Sequence, residues 1–182
     1  MQIPELETSR LILQKITDQD QRNIYKGLSH PEVIRFYGVN YTSFEETKEQ
    51  MNWYSNLEKS GAGRWWSIRE KRSNEFCGAI GINDHHPEHK KAEIGFWLLP
   101  EYWGKGFTKE AAEAVIDHLF QDMKLHRLEA YVEGGNSNSS RVLQKLGFLH
   151  EGTMQESEMK NGKFIDVAIF AKLNSEIIPA EF

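Results

Sequence analysis

The chain has 182 residues, of which 39% are hydrophobic and 27% charged, and a formal net charge of −5. That length and mixture suit one globular domain with a proper core and exclude a disordered or fibrous chain. The acidic balance, with no basic stripe, speaks against nucleic acid as a partner. The longest apolar run, residues 94–100, is far shorter than the ~20 residues of a membrane-spanning helix.

Cys77 is the only cysteine, so no internal disulfide and no cysteine-rich zinc site is expected. Residues 1–10 contain Pro4, Glu5 and Glu7 and lack the apolar stretch of a secretory signal, which makes the cytoplasm the expected location. No repeat, low-complexity tract or linker divides the chain, and residues 1–182 are expected to form a single domain.

Leu11, Ile12 and Leu13 read as a first strand. Residues 18–28 suit a short helix stopped by Ser29-His30-Pro31. Ser43 with Glu46 three residues later is a capping-box pattern, predicting a helix from residue 43 to about 59 that ends at Ser60-Gly61. Residues 64–69 and 76–82 are β-type runs on either side of the polar turn 71–74, as in a hairpin. In residues 92–98, Ala92, Ile94, Phe96 and Leu98 share one face, and Glu93, Gly95 and Trp97 the other.

From Thr108 the period becomes helical. Ala112, Val115, Ile116, Leu119, Phe120 and Met123 recur at spacings of three and four. Residues 127–132 read as a strand. Residues 136–146 read as a second amphipathic helix with Val142, Leu143 and Leu146 inward, and Gly147 stands where a left-handed cap is expected. Two closing strands, 148–157 and 164–173, flank the turn 160–163. The order of elements is that of a mixed α/β domain.

The segment richest in chemistry is 97–108, a strand followed by Trp103-Gly104-Lys105-Gly106-Phe107-Thr108 and a helix start. Glycines let a ligand approach the backbone, and the first turn of a helix offers free N–H groups. Together they attract an anion by about 0.3–1 kcal/mol per charge, which suits a pyrophosphate. Neither a P-loop nor a dinucleotide fingerprint fits, because the Gly-Lys-Ser/Thr ending is absent and Lys109 stands where a third glycine is needed.

This loop resembles the acetyl-CoA pyrophosphate loop of the GNAT acetyltransferases, with Trp103 and Thr108 departing from the usual Gln/Arg-x-x-Gly-x-Gly/Ala form. The tryptophan is common in the branch that acetylates the N-termini of ribosomal proteins. Glu7-Thr8-Ser9-Arg10-Leu11-Ile12-Leu13 resembles that branch's opening strand. Residues 92–98 and 125–130 resemble its fourth and fifth strands, residues 136–148 its following helix, and Glu151-Gly152 with residues 162–166 its closing hairpin.

The resemblance implies the GNAT acyl-CoA N-acyltransferase fold, a mixed twisted sheet of about seven strands flanked by about four helices. It implies acetyl-CoA as co-substrate and no metal. Backbone groups of Phe96, Trp97 and Leu98 are expected to pair with the pantetheine arm. The loop from Trp103 through Gly104, Lys105, Gly106, Phe107 and Thr108 to Lys109 is expected to hold the pyrophosphate, and Asn136 to bond the cofactor near its pantetheine portion. The implied reaction is direct attack of a primary amine on the thioester in a ternary complex. Leu143 occupies the position where many members carry an acidic tyrosine. Ser139 is therefore the expected acid, beside the cofactor, and Glu158 the expected base acting through water.

Generating the neutral amine is easier for a protein N-terminus than for lysine. At pH 7 an α-amine of pKa ~7.8 is about 14% neutral, against about 0.04% for a lysine amine of pKa ~10.4. This modestly favours an N-terminal or other low-pKa acceptor. A small-amine substrate such as an antibiotic or polyamine, or a weakly catalytic acyl-CoA sensor, is the alternative. Phe36, Tyr37, Trp53, Trp65 and Glu93 are candidate acceptor-pocket residues, with core packing the rival reading for the aromatic ones. His85, His86 and His89 suit a surface loop better than a metal site, since Pro87 interrupts them and no carboxylate stands at helical spacing. An exposed closing hairpin would suit a homodimer.

Overall fold

In the computed structural model, which describes residues 3–175, two antiparallel strands come first, β1 (Leu6–Glu7) and β2 (Leu11–Lys15). Helices α1 (Gln21–Leu28), α2 (Pro31–Ile34) and α3 (Lys48–Ser60) follow, then β3 (Arg64–Glu70), β4 (Phe76–His86) and β5 (Lys91–Leu98). The second half runs α4 (Phe107–Gln121), β6 (Arg127–Glu133), α5 (Ser137–Lys145), β7 (Leu149–Lys160) and β8 (Lys163–Leu173). The strands form one sheet in the order β1-β2-β3-β4-β5-β6-β8-β7, in which β5 and β6 are the parallel pair.

The expected seven strands become eight through the two-residue edge β1, and the expected four helices become five through α2, a single turn with Pro31 at its start and the His30 ring accepting from the Glu32 amide. The helix expected from Ser43 begins at Lys48 instead. Ser43 does accept from the Glu46 amide, but the Glu46 carboxylate is held by the amide and hydroxyl of Thr42 at 2.9 and 2.8 Å. The carboxylate is thus held mainly one residue before Ser43, and residues 45–49 close tighter i→i+3 turns, Lys48 amide to Glu45 carbonyl and Glu49 amide to Glu46 carbonyl, before the α-helix begins. β4 runs on to His86, so His85 and His86 end a strand rather than lie in a loop. β7 extends to Lys160 across a register shift between Met154 and Glu158.

The core is built as the apolar periodicities predict. Ala111, Ala112, Val115, Ile116, Leu119 and Phe120 of α4 are buried. Ala92, Ile94 and Leu98 of β5 are buried on one face of the sheet. The other face of β5, carrying Glu93, Gly95 and Trp97, lies under α1 and α3. There the Trp97 ring occupies the space beside Gly27, where an added Cβ would stand 2.1 Å from it. Trp65 of β3 lies over Gly81 and reaches Gly95 with the edge of its ring, its indole N–H donating to Asn83 at 2.9 Å. Among the described residues, no helix is long and apolar enough to cross a membrane.

A cleft between parted strands as candidate active site

β5 and β6 pair only from Lys91↔Arg127 to Glu93↔Glu129, and then part. β5 continues to Leu98 against β4, and β6 to Glu133 against β8. Which backbone groups face the gap follows from ladder parity. The Leu99 amide donates to the Cys77 carbonyl at 2.8 Å, so odd-numbered residues of β5 turn their N–H and C=O toward β4 and even-numbered ones toward the gap. Phe96 therefore offers its amide and carbonyl to a ligand, and Leu98 its amide, the Leu98 carbonyl being taken by the Trp103 indole. Trp97 does not, contrary to expectation: its amide belongs to the β4 ladder and its side chain is buried against α1. On β6 the Asn174 amide bonds the His126 carbonyl, which leaves Tyr131 and Glu133 facing the gap.

The glycine loop closes one end. Gly104 and Gly106 have φ of 72° and 79°, the left-handed region that glycine enters at no steric penalty, and Gly106 is the N-cap of α4. The amides of Phe107, Thr108 and Lys109 form the first turn and have no partner within the helix. The Phe107 side chain is buried and stacked on Tyr102, so that residue contributes its backbone alone. Trp103 is 43% exposed, and its indole N–H donates to the Leu98 carbonyl at 2.8 Å, tying the loop to the end of β5. The Lys105 ammonium sits 4.9 Å from the centre of the Tyr102 ring.

A clamp not foreseen in the sequence holds this loop. The Glu110 carboxylate accepts from the Thr8 and Ser9 hydroxyls, the Arg10 amide and the Arg10 guanidinium, and Arg10 also donates to the Lys105 carbonyl. Desolvation raises the Glu110 pKa, but these hydrogen bonds win and hold it down at about 2.

At the other end, Asn136 caps α5, its side chain accepting from the Ser139 amide at 3.2 Å. Ser139 is half-buried, and its hydroxyl makes no hydrogen bond among the described residues. Leu143 is buried and packs in the core.

Glu93 stands in the last paired position before the strands part. It borders a cavity of about 210 Å³ lined also by Asp84, His86, Lys91, Glu129 and Tyr131. Burial first, then the charges of Asp84, Glu129 and Glu158, raise its pKa to about 7. Glu129 is neutralised by Arg127 at 2.7 Å and Lys91 at 3.2 Å, whereas Glu93 has no ion-pair partner among the described residues. Glu158 is exposed on β7, opposite Ile165, and makes itself felt at Glu93 through its charge.

The expected acceptor residues divide. Phe36 and Tyr37 are half-buried in the turn after α2, and burial, followed by the charges of Tyr54, Glu93 and Tyr41, raises the Tyr37 pKa. Trp65 is almost wholly buried and brings only the edge of its ring to Gly95. Trp53, on α3, is 38% exposed and packs against Tyr54 and Trp65.

Residues 10–149 match the model of the acetyltransferase (GNAT) domain, most of the chain. The chain belongs to the GNAT acetyltransferase family. It is 36% identical over 169 residues to the uncharacterized N-acetyltransferase YoaA of Bacillus subtilis (strain 168), covering 92% of this chain and 96% of that one. It is 26% identical over 167 residues to the ribosomal-protein-serine acetyltransferase of Escherichia coli (strain K12), covering 90% and 92%. Its fold is similar to that of the spermidine N-acetyltransferase from Vibrio cholerae solved with CoA and spermine, with a TM-score of 0.82, 24% identity and coverage of 92% and 98%.

As a GNAT enzyme the chain is an acetyl-CoA-dependent acyltransferase, and its cleft fits that co-substrate. The free amides at the head of α4 and the two left-handed glycines suit a pyrophosphate. The unpaired strand edge at Phe96 suits the amides of a pantetheine arm.

Proposed function

We propose that the enzyme acetylates a primary amine of low pKa, a protein N-terminal α-amine above all, with Glu93 receiving the amine's proton. The position of Glu93 carries this reading: a carboxylate without an ion-pair partner among the described residues, at the point where the strands part, bordering a cavity. A base of pKa about 7 takes a proton from an α-amine of pKa ~7.8 at a cost of about 1 kcal/mol, and from a lysine-like amine of ~10.4 at about 4.6 kcal/mol. The E. coli relative's name, a ribosomal-protein-serine acetyltransferase, agrees with a protein acceptor.

The thioester supplies an activated acyl carbon, and the chain's own groups do the rest. The amides of Phe107, Thr108 and Lys109 hold the pyrophosphate, and the Phe96 backbone aligns the pantetheine. Glu93 accepts the proton, and the Ser139 hydroxyl, without a hydrogen-bond partner among the described residues, donates one to the departing thiolate and regains it from water. Glu158 assists from β7 through its charge or an intervening water.

The fold neighbour solved with spermine keeps a polyamine as the second reading, and the acidic lining of Asp84, Glu93 and Glu129 is the observation in its favour. Rates of thiol release with N-terminal peptides and with polyamines, at equal amine concentration, separate the two. A preference for polyamines across the panel excludes the α-amine reading.

A further inference from the structure

Three oxygens from two separate parts of the chain converge on the ammonium of Lys160, the last residue of β7. Nζ lies 2.6 Å from Oε2 of Glu133 on β6, 2.8 Å from the Arg35 carbonyl and 3.4 Å from the Tyr37 carbonyl. A lysine has three N–H donors, so the group is fully used. Its side chain is 23% exposed and that of Glu133 is 18% exposed, so the pair is largely shielded from water.

The segment held in this way, residues 35–37, lies beside the end of β6, where the strands have parted. On one side the Phe36 ring comes within 3.8 Å of the position a Cβ on Gly135 would take, in the turn between β6 and α5 and next to Asn136. On the other, Tyr37 packs against the core beneath α3 and feels the charge of Glu93 on β5. β5 and β6 share no hydrogen bonds beyond Glu93 and Glu129. The strap of residues 35–37 thus lies against the end of β6 and is tied to β7 through Lys160, on the side where the sheet opens.

We propose that Lys160 is a positioning residue that latches the 35–37 strap over the acceptor side of the cleft and so limits the width available to the incoming amine. This rests on the reading of the cleft as an acetyl-transfer site. Replacing the ammonium by an uncharged chain of similar length frees two strap carbonyls and leaves Glu133 without its cation. The strap then loosens, slim acceptors lose alignment, and bulkier ones gain entry.

The test uses Lys160→Met, Lys160→Arg and Glu133→Gln in the full-length enzyme. Acceptors are one peptide with N-terminal glycine and one with N-terminal valine. Amide hydrogen exchange across residues 35–38 is measured in parallel. Lys160→Met is expected to raise KM for the glycine peptide roughly tenfold, with the affinity for CoA unchanged. It is expected to raise the valine-to-glycine ratio of kcat/KM roughly fivefold, and to speed exchange in the strap. Glu133→Gln follows in the same direction, and Lys160→Arg returns KM and exchange toward wild type.

Unchanged strap exchange in Lys160→Met overturns the latch. So does a parallel loss of CoA affinity and both acceptors, which marks Lys160 as general support for the fold. If the wild type releases no thiol with any amine offered, the acetyl-transfer reading fails instead, and the exchange measurement alone decides the latch.

Discussion

Arg10 and Glu110, a hundred positions apart in the chain, meet with Nη2 and Oε2 2.6 Å apart at the first turn of α4. Arg10 also lies over the Phe107 ring, 4.8 Å from its centre, and donates to the Lys105 carbonyl. The strand that opens the domain therefore fixes the loop expected to hold the pyrophosphate. Glu110→Gln is expected to weaken CoA binding several-fold and to reduce stability by about 1–3 kcal/mol near pH 7. Because the folded-state pKa is depressed to about 2, this contribution is complete above the ordinary carboxylate range and is lost as pH falls toward about 2. Calorimetric CoA titration and denaturant unfolding at pH 7 and pH 3 check both parts. The gap between variant and wild type should shrink at the lower pH.

Glu93 gives an opposite pH dependence. Its carboxyl must be deprotonated to accept a proton, so kcat/KM is expected to rise with pH through about 7. Glu93→Gln should abolish that limb and lower kcat by roughly 10²–10⁴-fold. The same raised pKa makes the ionised group a liability for folding. Stability is lost as pH rises from the ordinary carboxylate range through about 7. Glu93→Gln should therefore unfold at higher denaturant than wild type at pH 8, by about 1–2 kcal/mol after allowance for partial exposure, and match it at pH 4. A variant that is inactive but no more stable at pH 8 would contradict the burial argument.

Ser139→Ala is expected to lower kcat by roughly 10²-fold with CoA affinity retained, because the hydroxyl has no partner among the described residues while its amide is held by the Asn136 cap. Asn136→Ala should instead reduce stability by about 1 kcal/mol through loss of the cap. Single-turnover rates beside equilibrium CoA titrations distinguish these outcomes. An unchanged rate in Ser139→Ala removes the serine from the chemistry.

Gly27→Ala tests the packing beneath the acceptor side. A Cβ there would lie 2.1 Å from the Trp97 ring, which is buried and also packed against Phe76. Overpacking of this kind is expected to destabilise by roughly 1–3 kcal/mol or more, measured by thermal unfolding. Tolerance of the alanine would show that Trp97 can move.

What the sequence revealed, and what it hid, follows the range of the interactions. The buried stripe of α4 and the Gly104–Gly106 loop were legible because both are local patterns of spacing and backbone freedom. The side-chain alternation of β5 placed Glu93, Gly95 and Trp97 on one face, but the direction of the Trp97 amide depends on which neighbour supplies the ladder, and that is a property of the whole sheet. α3 starts later than its capping pattern suggests because the Glu46 carboxylate is held mainly by Thr42 and residues 45–49 close i→i+3 turns first. The Arg10–Glu110 clamp and the Lys160 strap join residues about a hundred or more positions apart, and no local pattern announces such pairs. Glu93 was visible as a polar residue on a strand face, but its burial and crowding by Asp84, Glu129 and Glu158 arise only on folding.

The most direct test of the central claim is thiol release from acetyl-CoA, followed against pH, for wild type and Glu93→Gln with an N-terminal peptide as acceptor. The account predicts release that depends on the peptide, rises through about pH 7 in the wild type, and loses both rate and limb in the variant while CoA still binds. Peptide-dependent release with the same limb in Glu93→Gln would contradict it, as would binding of CoA without release to any amine.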